Sequence, residues 1–144
     1  MIEFIGAGKT LELRSKLLRE GKLPPEDCKF EGDDAEGAFH LGYYEEDRLL
    51  GVVSFLPHGR AEFAGKGYLL RGMAVLPEYR NRGIGNLTAN FGVLYLKGQK
   101  VNYVWCDARK VAYSFYLGLG FEFVTDEFDI PGIGPHRVMY LKLS

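Results

Sequence analysis

Arg80-Asn81-Arg82-Gly83-Ile84-Gly85 stands between two apolar stretches of different period. Before it, Gly67–Val75 is a near-continuous apolar run, the pattern of a buried strand. After it, Ile84, Leu87, Phe91, Leu94 and Tyr95 recur every three or four residues, the period of a helix that Gly98 ends. The first turn of a helix leaves backbone N–H groups unpaired, and the helix dipole adds about half a positive charge there. Glycines at 83 and 85 let an anion approach those donors closely. Arg80 and Arg82 add cationic donors. From Arg80 through Asn81, Gly83, Ile84 and Gly85 to Asn86, the segment describes a candidate pyrophosphate cradle. A solvated basic turn with helix-starting glycines has the same composition, and these seven residues alone do not separate the two.

Rival phosphate motifs fail on spacing. A dinucleotide-binding turn needs a third glycine where this chain has Thr88. Gly8-Lys9-Thr10 hints at a P-loop, but the required glycine five residues earlier is Glu3. Gly132-Ile133-Gly134 runs into Pro135 and opens no helix.

Working outward, the chain reads β-α-β-β-β-α-β-α-β-β. Met1–Ile5 is a short strand. Lys9–Glu20 is a helix ended by Gly21 and Pro24-Pro25, and Asp27–Gly37 is an acidic loop. Ala38–Tyr44 and Leu49–Leu56 form a hairpin around the polar turn Glu45–Arg48. Val101–Cys106 is a strand. Val111, Ala112, Phe115 and Leu119 mark a helix closed by Gly118 or Gly120. Phe121–Phe128 is a strand, Asp129–Gly134 a loop, and Arg137–Leu143 the last strand. This is a single-domain mixed α/β sheet, partly antiparallel and covered by helices. Gly67–Cys106 forms a right-handed parallel crossover.

Bulk properties narrow the function. The 144 residues suit one domain, and 47% hydrophobic with 26% charged residues is ordinary for a globular chain. A net charge of −1 argues against general nucleic-acid binding. The two cysteines, Cys28 and Cys106, could pair, but their spacing suggests neither a disulfide framework nor a metal site, and no His/Cys cluster has zinc spacing. Met1–Gly8 has no basic segment leading into an apolar run, and no stretch approaches 18 apolar residues, so neither a signal peptide nor a membrane span is expected. The expected setting is the cytoplasm.

Arg80-x-x-Gly83-x-Gly85, with Leu70–Tyr79 before it, resembles the R/Q-x-x-G-x-G/A motif and preceding strand of the GNAT acetyltransferase superfamily. The resemblance covers about Ala38 to Leu143. Tyr116-Leu117-Gly118-Leu119-Gly120-Phe121 resembles the Y-x-x-x-G-F segment of many members. The resemblance implies a GNAT fold with acetyl-CoA as cosubstrate, the loop amides holding its pyrophosphate. It implies that backbone groups of Met73, Ala74 and Val75 meet the pantetheine arm and thioester carbonyl. It places Tyr116 near the departing sulfur, where a phenol donates a proton or hydrogen bond. The acetyl group then passes directly to an amine, on a small molecule or a peptide, with no acyl-enzyme. Homodimers are common among similar proteins. Leu13-Arg14-x-x-Leu17-Leu18-Arg19, followed by Cys28, Asp33 and His40, looks like a branch of the superfamily that fixes no substrate.

Two departures leave positions open. Where many members have Asn, this chain has Arg109, which reaches either a coenzyme phosphate or solvent, as does Lys110. Some members carry a catalytic Glu on the central strand, but Gly67–Val75 has no acid. The candidate bases are His40, His136, Asp34 and Asp107, with Asp107 also readable as a helix cap. His136 follows the Gly/Pro loop where members line the acceptor site. Without a secure base, a module that binds acyl-CoA without turnover is the rival reading.

Overall fold

In the computed structural model, which describes Met1–Ser144, the Gly67–Val75 run forms strand β4 at the middle of the sheet. The other strands are β1 (Ile2–Ile5), β2 (Phe39–Glu45), β3 (Arg48–Pro57), β5 (Tyr103–Arg109), β6 (Glu122–Phe123), β7 (Phe128–Ile130) and β8 (Gly134–Lys142). Their order is β1-β2-β3-β4-β5-β8-β6, with β7 also paired to β8. Only β4 and β5 run parallel. The crossover between them is helix α2 (Ile84–Gly98). A one-turn helix α1 (Leu11–Leu13) lies between a 3-10 turn, Ala7–Thr10, and a π turn, Arg14–Leu18. A short α3 (Tyr113–Gly118) follows the 3-10 turn Lys110–Ala112. No helix is long and apolar enough to cross a membrane.

Register fixes which residues share a face. Phe39, Phe55 and Leu70 align across β2, β3 and β4, and in the next row so do His40, Ser54 and Arg71. Side chains alternate along a strand, so the two rows face opposite sides. The aromatic row packs with Ala89, Val93 and Leu96 of α2, and with Val104, Cys106 and Tyr116, in the main core. On the other side Tyr103, Trp105 and Val138 form a smaller cluster.

Three readings from the sequence need correction. The buried stripe of α2 is Ile84, Thr88, Ala89, Gly92, Val93 and Leu96, whereas Leu87, Phe91, Leu94 and Tyr95 are exposed. The cause is steric. Phe55 presses so close that a Cβ on Gly92 would lie 2.2 Å from its ring, so the helix meets it with Gly92 and turns its aromatic residues to the flank. Phe91 and Tyr95 instead pack against Phe4, at ring separations of 5.8 and 5.1 Å. The expected strand Phe121–Phe128 is broken into β6 and β7. Between them Thr125 takes over from the ladder, its Oγ1 accepting from the Val138 N–H at 3.0 Å and its carbonyl from Arg137 Nε at 2.9 Å. β5 continues to Arg109, so Asp107 is a strand residue and caps no helix.

Candidate active site

β4 and β5 pair only at Gly67–Tyr103, Tyr68–Val104 and Leu69–Trp105. Beyond that point they splay, although β4 runs on to Val75 and β5 to Arg109. The backbone groups that each strand turns toward the gap therefore have no partner across it. A bulge helps to bend β4 away: the register shifts between Val52 and Ser54 of β3, and opposite it Gly72 has φ +70°. A side chain is strained there, and its Cβ would lie 2.7 Å from the Phe30 ring. A cleft of about 1000 Å³ fills the splay. Its wall contains Met73, Ala74, Val75, Arg80, Asn81, Gly83, Ile84, Gly85, Asn86, Arg109, Tyr116 and His136.

The α2 end of the cleft is built from backbone. Asn81 (φ +65°) and Gly83 (φ +77°) are both left-handed, which turns the chain sharply into the helix. No side chain caps it. The helix ladder begins with the Leu87 N–H donating to the Gly83 carbonyl at 2.9 Å, so the preceding first-turn amides are open beside the cleft. Gly85 faces Phe115 and Met73, and its missing side chain keeps that approach clear. Arg80 and Asn81 are exposed at the rim. Arg82 lies apart from the wall: its guanidinium pairs with Glu45 at 3.2 Å and stacks on Tyr79.

Tyr116 lies across from this turn on α3, its ring edge-on to Phe115 at 5.1 Å and tilted against Phe121 at 5.4 Å. Burial, with a lesser contribution from Cys106, pushes its phenol well above the ordinary value. Tyr113 points away and donates to Glu127 at 3.1 Å. Lys110 lies 3.9 Å from the same carboxylate. The Cys106 thiol is buried in the core and held protonated by burial and by the charge of Asp107.

His136 is buried at the far end of the cleft, stacked on Phe128 at 6.1 Å. Its Nδ1 lies 2.8 Å from the Gly134 carbonyl. A carbonyl only accepts, so Nδ1 carries the hydrogen, and in the neutral ring Nε2 holds the lone pair. Arg109 is its register partner on β5 and shares its face. Asp107 is exposed on the same face and lines the cleft. Asp34 is exposed in the loop before β2, outside the lining.

His40 serves the interior. Its Nε2–H donates to the Asp33 carbonyl at 3.0 Å, and its Nδ1 accepts from the Ser54 hydroxyl at 2.6 Å. Ser54 in turn accepts from Arg14 at 2.8 Å. Arg14 grips Asp33 with two nitrogens, at 2.7 and 3.0 Å, and also donates to the Cys28 carbonyl. Burial works to raise the Asp33 carboxyl. The bonds from Arg14 and the Phe30 N–H, with the nearby positive charge, outweigh it and hold the group below the usual range. Above this network Phe30 lies between two guanidinium groups, Arg14 at 3.7 Å and Arg71 at 3.9 Å. Phe30 and Arg71 both line the cleft. Neither stood out in the sequence. The available signal was Arg71 itself, the one charged residue in the apolar run Gly67–Val75.

Residues 9–121 match the acetyltransferase (GNAT) family. The chain is 37% identical over 143 residues to the Uncharacterized N-acetyltransferase YitI of Bacillus subtilis (strain 168), covering 99% of this chain and 95% of that protein. An aminoglycoside 6'-N-acetyltransferase crystallised with coenzyme A superposes with a TM-score of 0.79 at 15% identity, covering 100% of this chain and 97% of that one. Escherichia coli ElaA superposes with a TM-score of 0.76 at 16% identity, covering 97% and 98%. The chain belongs to the GNAT family and has its acyl-CoA N-acyltransferase fold, which makes it an acyl-CoA-dependent N-acetyltransferase.

Proposed function

We propose that this chain moves the acetyl group of acetyl-CoA directly onto an amine, with the open amides at the start of α2 holding the coenzyme pyrophosphate. One observation carries the reading: a helix start without a side-chain cap, shaped by two left-handed residues, faces the cleft between splayed strands. Such a start binds anions through its N–H groups and dipole. The fold neighbour crystallised with coenzyme A supports the same ligand. The cradle comprises the amides of Gly83, Ile84, Gly85 and Asn86, with Arg80 and Asn81 at the rim. The gap-facing backbone of Met73, Ala74 and Val75 takes the pantetheine arm as an added strand and donates an N–H to the thioester carbonyl.

At the sulfur, Tyr116 acts as donor. Its raised pKa keeps the phenol protonated near neutral pH. An ordinary thiol has a pKa of about 8.5, below that of the phenol, so the phenol keeps its proton and stabilises the departing thiolate by donating a hydrogen bond. His136 Nε2 is the base that takes the proton from the amine, and Asp107 on the same face draws in the ammonium form. Arg109, beside His136, borders the acceptor rather than the phosphates. A buried thiol kept protonated makes Cys106 unfit to carry the acyl group, which leaves direct attack.

Thiol release from acetyl-CoA in the presence of a panel of amines tests the reading. Release that depends on the amine is expected. Coenzyme binding with no release for any amine would point instead to a binding module.

A further inference from the structure

Resting on the transferase reading above, we infer that the acceptor amine carries a carboxylate, and that Arg71 is the residue that selects it. Four observations converge on Arg71. It is the first β4 residue on its face past the last β4–β5 pair at Leu69–Trp105, so it stands at the mouth of the splay, opposite the side where α2 packs. It lines the cleft and is open to it. The six ion pairs of the chain leave it out, so its guanidinium has no carboxylate partner. It is also held in place. Its guanidinium carbon sits over the Phe30 ring, 3.9 Å from the centroid, and Phe30 rests on Arg14, whose own charge Asp33 neutralises at 2.7 Å.

A guanidinium stacked on an aromatic ring keeps its edge donors free. That planar fork matches a carboxylate with two parallel hydrogen bonds. Charge in the cleft favours the same class of ligand. The charged side chains of the wall are Arg19, Arg71, Arg80 and Arg109 against Asp107, four positive and one negative, a net of +3 in a chain whose total is −1. Arg80 belongs to the coenzyme end. On the acceptor side the positive charge still exceeds the single negative of Asp107, which opposes polycationic amines. The cleft wall also includes the apolar Leu17, Leu18, Ile130 and Ile133. The acceptor class that fits is an amino acid or short peptide with its α-carboxylate on Arg71, its amine between Asp107 and His136, and an apolar side chain on that wall.

The test uses matched pairs: the apolar amino acids and their dipeptides against the corresponding carboxamides, with spermidine and kanamycin as polycations. Thiol release from acetyl-CoA is the readout. The acids are expected to have the higher kcat/KM. In Arg71→Gln the ratio of acid to amide is expected to fall about 10–100-fold, the loss of a charge-assisted pair, mainly through KM. Arg71→Lys recovers part of it. Equal ratios in wild type and Arg71→Gln, preference for amides or polycations, or no release with any acid would overturn the inference. Calorimetric titration of coenzyme A into the wild type and Arg71→Gln separates the two levels. Intact coenzyme binding with no acid preference sinks only the acceptor assignment, whereas absent coenzyme binding sinks the transferase reading beneath it.

Discussion

In the proposed reaction Tyr116 and His136, which line one cleft, divide the proton chemistry. The apolar packing that raises the Tyr116 phenol also fixes its ring between Phe115 and Phe121. Tyr116→Phe keeps that packing and removes only the donor. Its turnover should fall about 10²-fold or more while coenzyme affinity stays within about twofold of wild type by calorimetry; equal turnover would remove the phenol from the mechanism. His136→Gln should likewise lower kcat more than it weakens coenzyme binding. The Arg14–Asp33 pair has a structural role, and removing one partner of a buried pair costs about 3–5 kcal/mol. Asp33→Ala should lose that much in urea unfolding at neutral pH. Because the folded Asp33 carboxyl titrates below its unfolded value of about 3.9, its contribution is present above that pH and disappears as pH falls through the folded value. The gap between wild type and Asp33→Ala should therefore narrow in acid. A gap that is constant with pH would contradict the ion-pair account.

At the scale of elements, the turn into α2 was the most legible part of the chain. Two glycines and a change of hydrophobic period located the helix start, where α2 begins at Ile84. The buried face of that helix was not legible, because periodicity finds apolar residues without knowing the size of what they meet. Phe55 demands Gly92, and large side chains cannot sit there. The polar row His40–Ser54–Arg71 was hidden for a different reason. It depends on register across three strands, and the acidic loop that supplies Asp33 and Phe30 has no periodic signal. His40 therefore looked like a possible base, whereas both its nitrogens are occupied in the interior. The proposed anion-binding role of the α2 start yields a prediction of opposite signs. Gly85→Glu puts a carboxylate in the first turn at a position without a positive φ. Negative charge there complements the helix dipole by about 0.3–1 kcal/mol, so the thermal midpoint should hold or rise. The same charge repels a diphosphate. A variant that is markedly less stable would show that Gly85 serves packing.

Across the whole molecule, β4 and β5 part beyond Leu69–Trp105, and the proposed ligand chemistry gathers at that opening. Its two sides are unlike. The α2 side offers backbone donors and Tyr116, whereas the opposite side offers Arg71, Asp107, Arg109 and His136. The proposed function puts the coenzyme on the first side and the amine on the second, so it predicts that defects in coenzyme binding and in acceptor binding separate by mutation. The central claim is that the uncapped amides at the start of α2 clasp the coenzyme diphosphate. Calorimetric titration of coenzyme A into the wild type and into Gly85→Glu tests it most directly. The account predicts a single saturable site in the wild type and no measurable binding in a variant that melts at the same temperature or higher. Equal affinity in the two proteins would contradict it.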